Sequence, residues 1–139
     1  MHLSVLLFAV QSLGAFALAV GFWVAFRRFG RARWSSVAWG GLTFLVAQAL
    51  RLPALTLLTF AARSTGLALD AEGEFALNLA VLSLSAGLFE EFSRYGVMRW
   101  GASHVREPRE ATMFGAGHGG VEAILLVGIG SLSNLLGLG

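Results

Sequence analysis

Two groups of ionisable residues have spacings that place their side chains on one face of a helix. Arg94 follows Glu90 by four residues and Glu91 by three, and His118 and Glu122 are four residues apart. Residues at these spacings are neighbours on a helix surface. A carboxylate can accept a proton from water, and a histidine can donate to an oxyanion or bind a metal as neutral imidazole. These residue types therefore indicate amide hydrolysis without a covalent nucleophile.

Each residue has an expected role in such a site. Glu90 would be the base that activates water, Glu91 its supporting carboxylate, and Arg94 the charge that orients them. His118 would be an oxyanion donor or a metal ligand, so Glu90 and His118 are the candidate ligands of a divalent metal such as zinc. Catalytic zinc ordinarily has three protein ligands. The spacing leaves a metal-dependent and a metal-free, glutamate-dependent mechanism open.

Glu122 has two interpretations. It can belong to the catalytic set, because it lies one helical turn from His118, or it can form an ion pair with Arg51. We favour the ion pair with Arg51.

Long apolar segments must position these residues. Hydrophobic residues make up 56% of the 139 residues and charged residues 13%, against about 25% charged residues in soluble domains. Four segments reach the ~20 residues needed to cross a bilayer: residues 3–26, 35–62, 75–98 and 111–137. The continuous apolar runs predict helices, not alternating barrel strands. We expect an all-α polytopic membrane helix bundle with one domain, residues 1–139.

The third and fourth segments should bring the two ionisable groups to one depth. At ~1.5 Å per residue, Glu90 lies ~12 Å and His118 ~10 Å from the loop that joins their segments. We expect the glycines around His118, including the pair Gly115 and Gly119, to let the third helix approach closely. Ser83 and Gly87 form a similar small-residue pair on the third helix.

Arginine distribution predicts the orientation in the membrane. Seven arginines flank the first and third loops, and one lies in the second: Arg27, Arg28, Arg31, Arg33, Arg99, Arg106 and Arg109 against Arg63. Cytoplasmic loops carry an excess of basic residues. Both termini should therefore be outside. The first segment has no preceding charge, and we interpret it as a retained anchor helix.

Two segments carry a family resemblance. Residues 87–95 read Gly-Leu-Phe-Glu-Glu-Phe-Ser-Arg-Tyr, and residues 115–123 read Gly-Ala-Gly-His-Gly-Gly-Val-Glu-Ala. Together they resemble the YhfC family, which is distantly similar to the CAAX prenyl proteases and bacteriocin-processing membrane proteases. The resemblance implies an intramembrane peptidase of the bacterial cell membrane that acts on a peptide or membrane-protein substrate. It also implies a further histidine-bearing helix downstream, so we expect the chain to match the N-terminal part of a longer protein.

Two other functions are compatible with buried charges. Glutamate, histidine and arginine inside spans also mark proton-linked carriers. Such a carrier would need polar groups along the whole path, and in the first segment we identify only Gln11 as such a group. A non-catalytic scaffold that retains the motif is the other alternative. The arginines do not form the stripe typical of nucleic-acid binding, so the expected partner is the lipid bilayer. The absence of cysteine excludes thiolate catalysis and disulfides.

Overall fold

The computed structural model of the protein describes residues 2–66 and 70–137. Helices α1 (His2–Phe29), α2 (Trp34–Ser64), α3 (Ala71–Gly96), α4 (Pro108–Glu122) and α5 (Gly130–Leu135) contain most of these residues. A π-helical turn, Val97–Gly101, continues α3, and a π-helical segment, Ala123–Ile129, joins α4 to α5. A short 3₁₀ helix, Ser103–Arg106, lies between the π-helical turn that follows α3 and the start of α4.

Four continuous helical segments in the described part of the chain are long and apolar enough to cross a membrane: Leu3–Phe29, Trp34–Ser64, Ala71–Gly101 and Pro108–Leu135. This confirms the predicted all-α membrane bundle. Residues 136–137, the end of the predicted fourth segment, form a turn after α5.

Local sequence explains where the helices begin. The side chain of Asp70 caps α3, since its Oδ1 accepts the backbone N–H of Gly73 at 2.9 Å. Pro108 occupies the first turn of α4, where its missing N–H leaves no hydrogen bond unmade.

The helices pack in the order α1, α4, α2, α3. The central helix α4 packs against α2 on one side and α1 on the other, and α3 packs mainly against α2. Along α1, the Trp23 indole N–H donates to the carbonyl oxygen of Ala116 at 2.9 Å, and the Ser12 hydroxyl donates to Gly128 at 3.0 Å. The fourth helix therefore lies between its two neighbours in the bundle.

Glycine permits the close approach of α2 and α4. A Cβ on Gly40 would lie 1.9 Å from the carbonyl oxygen of Phe114, and a Cβ on Gly117 would lie 2.3 Å from the carbonyl oxygen of Val37. Both distances are far shorter than any van der Waals contact, so the two backbones can meet only at glycine.

The expectation that glycines such as Gly115 and Gly119 let the third helix approach the fourth was wrong. Apart from the backbone of their own helix, no described atom lies within 4 Å of the Cβ positions of Gly115, Gly119 or Gly87. The glycines of α4 that do pack face α2 and α1 instead of α3: Gly117 meets Val37, and Gly120 meets the ring of Trp23. Spacing of glycines along a helix does not determine which neighbour each one faces.

A polar cluster ties together the ends of the helices where α2 and α4 begin. Glu110 is buried and accepts the Ser36 hydroxyl at 2.5 Å and the backbone N–H of Arg33 at 3.1 Å. His104 Nε2 lies 3.3 Å from the hydroxyl oxygens of both Ser35 and Ser36. These contacts join the first loop and α2 to the start of α4, and join the loop that precedes α4 to the start of α2.

Candidate functional site

His118 is a buried side chain between α4 and α2. Its Nδ1 lies 3.0 Å from the hydroxyl oxygen of Thr43, which is fully buried on α2. The ring of Phe44 meets the imidazole edge-on, with 5.6 Å between ring centroids and an angle of 89° between planes. Two consecutive residues of α2 therefore hold the imidazole, Thr43 at one ring nitrogen and Phe44 through its ring.

Glu90 reaches the same point from α3. Its Oε2 lies 3.6 Å from Nε2 of His118, although the two residues are on helices separated by α2. The sequence-based expectation that the third and fourth segments bring these two ionisable groups together is confirmed. Equal depth of the two segments was the basis of that expectation, and the structure places the side chains together at that depth.

Arg94 bridges both carboxylates, as predicted. One guanidinium nitrogen, Nη2, lies 3.1 Å from Oε2 of Glu90, and the other, Nη1, lies 3.0 Å from Oε1 of Glu91. The same Glu90 oxygen therefore faces Arg94 on one side and His118 on the other. A guanidinium shared between two carboxylates offsets their mutual repulsion.

The two glutamates have different environments. The Glu90 side chain is 19% exposed and points into the bundle, whereas the Glu91 side chain is 71% exposed on the outward face of α3. Glu91 contacts the rest of the site through Arg94. Only the Glu90 carboxylate of this pair is in contact with the imidazole.

The predicted pair between Arg51 and Glu122 was wrong. Arg51 faces α3, where its Nε donates to the Ser85 hydroxyl at 3.1 Å and its Nη2 donates to the carbonyl oxygen of Leu82 at 2.8 Å. Glu122 is half-buried one turn beyond His118, and residues 2–66 and 70–137 provide it with no hydrogen bond or ion pair. The two residues share a depth range but occupy helix faces that point to different neighbours.

Nε2 of His118 is suited to bind a metal. It is buried and has no hydrogen-bond partner among the described residues, and it faces a carboxylate oxygen 3.6 Å away. Two ligand atoms at ~2.0–2.1 Å from a tetrahedral zinc are roughly 3.3 Å apart. The separation of these two atoms is close to that value, so Glu90 and His118 fit two positions of a zinc site.

The described part of the chain does not complete a metal site. Within residues 2–66 and 70–137, no group of three or more histidine, cysteine, aspartate or glutamate side chains could hold a metal ion. Glu122, one helical turn beyond His118, does not add a third donor to Glu90 and His118.

Thr43 is not among the site residues predicted from the sequence, although the sequence contains a signal for it. It lies nine residues from the first residue of α2, and His118 lies ten from the first residue of α4. Because α2 and α4 start at the same end of the bundle, the depth argument that paired Glu90 with His118 also places Thr43 beside the imidazole.

Comparison with known proteins gives a family. The family model described as YhfC intramembrane metalloprotease matches residues 14–138. The membrane protein YhfC of Bacillus subtilis (strain 168) is 48% identical over 50 residues, which are 36% of this chain and 19% of that relative. The matched stretch thus spans about a fifth of the relative's length, and no solved structure matches the chain. Since the family model covers most of the chain and both site segments, the protein belongs to the YhfC intramembrane metalloprotease family.

Proposed function

We propose that the protein is a metal-dependent intramembrane peptidase, and that Glu90 and His118 provide two of its metal ligands. The single observation that carries this proposal is the buried Nε2 of His118, which has no described hydrogen-bond partner and faces the Glu90 carboxylate. The family description names a metalloprotease, which supports the metal-dependent alternative and gives no support to the metal-free one. We infer a divalent metal such as zinc, which imidazole and carboxylate ligands both suit.

The metal would supply Lewis-acid activation of the scissile carbonyl and of a water molecule. The chain's own residues have distinct roles around it. Glu90 and His118 would hold the metal, and Thr43 and Phe44 position the imidazole. Arg94 orients the two glutamates, because its guanidinium lies within 3.1 Å of each carboxylate.

Glu91 is the carboxylate of the pair that would remain to accept a proton from water, since Glu90 would be a metal ligand. It is open on the outward face of α3, while Glu90 is occupied by His118 and Arg94. We assign this role to Glu91 because a general base must be free of the metal, and Arg94, which contacts both carboxylates, links Glu91 to Glu90. This assignment differs from the sequence-based expectation, in which Glu90 was the base and Glu91 its support.

The substrate class follows from the location of the site. The site residues lie within helices of membrane-spanning length, so a peptide bond must reach them inside or at the edge of the bilayer. We propose a peptide or membrane-protein segment as substrate, and the bacterial cell membrane as location. The single transmembrane domain, residues 1–139, would have both termini outside, as the arginine distribution predicts.

Replacement of each glutamate by glutamine, which has nearly the same size, distinguishes the proposed role of Glu90 from that of Glu91. In the full-length protein, Glu90→Gln should lower both zinc content and peptide cleavage, because it removes a ligand charge. Glu91→Gln should lower cleavage by about 10²-fold or more and leave zinc content unchanged, because it removes a general base. Zinc would be measured by elemental analysis of detergent-purified protein, and cleavage with a membrane-protein substrate.

His118→Gln is the decisive variant. It should abolish both zinc content and cleavage, while circular dichroism reports unchanged helix content. Retention of zinc and of activity in His118→Gln would refute the metallopeptidase proposal. Cleavage that survives in both glutamate variants would remove the two carboxylates from the mechanism.

A further inference from the structure

The hydroxyl group of Thr43 has two neighbours that compete for its single hydrogen. Its Oγ1 lies 2.5 Å from the carbonyl oxygen of Gly40 and 3.0 Å from Nδ1 of His118. All the atoms involved lie in the buried contact between α2 and α4, away from the exposed surfaces of both helices.

The chemistry of the three groups determines where the hydrogens lie. A carbonyl oxygen carries no hydrogen, so the hydrogen between Gly40 and Thr43 must come from the threonine hydroxyl. A threonine commonly donates in this way to the carbonyl oxygen of the preceding helical turn. The Thr43 oxygen then has only lone pairs to offer to His118. A hydrogen bond at 3.0 Å therefore requires that Nδ1 of His118 carry the hydrogen.

The other ring nitrogen follows directly. A neutral imidazole has one N–H, so an Nδ1–H ring has an unprotonated Nε2 with its lone pair free. Nε2 is the buried atom that faces Oε2 of Glu90 and has no described hydrogen-bond partner. Two atoms with lone pairs then face each other, which is the electronic arrangement that a cation between them requires.

The backbone keeps this arrangement rigid. Thr43 reaches His118 because Gly40 and Gly117 allow α2 and α4 to touch backbone to backbone. The Thr43 hydroxyl is anchored on its own helix through Gly40, so it is not free to rotate toward His118 as a donor.

We infer that Thr43 is a positioning residue that holds His118 in the Nδ1–H tautomer and so presents Nε2 as a ligand. The tautomer is a property of this chain's geometry alone, whereas its consequence for metal binding rests on the proposed function. Hydrogen bonds to the second nitrogen of a ligating histidine usually raise metal affinity 10–100-fold.

Nitrogen-15 NMR of histidine-labelled full-length protein tests the tautomer. Spectra of metal-free protein would be recorded at pH 9, where an ordinary imidazole is neutral, and the His118 signals would be assigned by their loss in His118→Gln. We expect a protonated Nδ1 and an unprotonated Nε2. A His118 ring protonated on Nε2, or on both nitrogens, would overturn the inference. This result needs only the wild-type protein and the His118→Gln variant used for assignment.

Two substitutions of Thr43 then test the cause. Thr43→Val keeps the shape and removes the hydroxyl, so His118 should lose its tautomer preference and zinc affinity should fall about 10–100-fold. Thr43→Ser restores the hydroxyl and should restore both the wild-type nitrogen shifts and the affinity. An unchanged Nδ1–H tautomer in Thr43→Val would overturn the inference. A changed tautomer with unchanged zinc affinity would support the positioning of the ring and count against the metal role of His118.

Discussion

Replacement of Gly117 by alanine tests whether backbone contact between α2 and α4 builds the site. The added Cβ would lie 2.3 Å from the carbonyl oxygen and 2.7 Å from the Cα of Val37. Both neighbours are backbone atoms, so no side chain can rotate to relieve the overlap. An ordinary contact needs about 3.4 Å or more, so the helices must separate locally by roughly 1 Å. Overpacking of this kind typically costs about 1–3 kcal/mol.

Gly119→Ala is a matched control on the same helix. Apart from the backbone of α4 itself, no described atom lies within 4 Å of its Cβ position, and alanine is favoured over glycine in a helix by about 1 kcal/mol. Each variant adds one methyl group to α4, at positions that are two residues apart. We therefore expect Gly117→Ala to be destabilised and Gly119→Ala to be unchanged or stabilised.

The assay has two readouts, because the separation acts on both stability and site. Thermal unfolding of the detergent-solubilised full-length protein should show a lower midpoint for Gly117→Ala alone. The nitrogen shifts of His118 should also change in that variant, since a shift of roughly 1 Å would break the 3.0 Å contact with Thr43. A Gly117→Ala protein as stable as the wild type, with unchanged His118 shifts, would refute the proposed backbone contact.

Three further predictions follow from the described contacts. Single cysteines at the exposed positions Ser35 and Ser64 should differ in labelling by an impermeant reagent, with Ser64 alone reactive from outside; the reverse pattern would refute the orientation. Arg94→Ala leaves two carboxylates without their shared partner and should lower the unfolding midpoint, whereas additional Glu90→Gln should partly restore it; a midpoint equal to that of the wild type would refute the bridging role. Arg51→Gln and Glu122→Gln should have additive effects on the free energy of unfolding, within about 0.5 kcal/mol, because the two side chains do not pair; a larger coupling in the double-mutant cycle would restore the rejected pair.

Depth in the membrane could be predicted from the sequence, and it located the centre of the site. Glu90 and His118 are each a known number of residues from the loop that joins their helices, and a fixed rise per residue converts this number into a depth. Helix spacing likewise predicted that Arg94 would contact both glutamates. The four long helices followed from apolar length alone.

Direction around the helix axis could not be predicted in the same way. Arg51 and Glu122 have compatible depths, but Arg51 faces α3 and donates to Ser85 and Leu82. Gly117 and Gly119 are two residues apart, and only Gly117 meets a neighbouring backbone. Which face meets which helix depends on the packing order of the bundle, and a single sequence with four similar apolar segments contains little information about that order.

The packing order divides the site into two parts with different mechanical properties. His118 belongs to the closely packed pair α2 and α4, where glycine contacts, Thr43 and Phe44 hold the ring. Glu90 and Glu91 belong to α3, which packs mainly against α2. The contact of this pair with the imidazole is the 3.6 Å distance from Oε2 of Glu90 to Nε2 of His118. A tilt of α3 over α2 would therefore change the distance from carboxylate to imidazole and leave the imidazole itself in place.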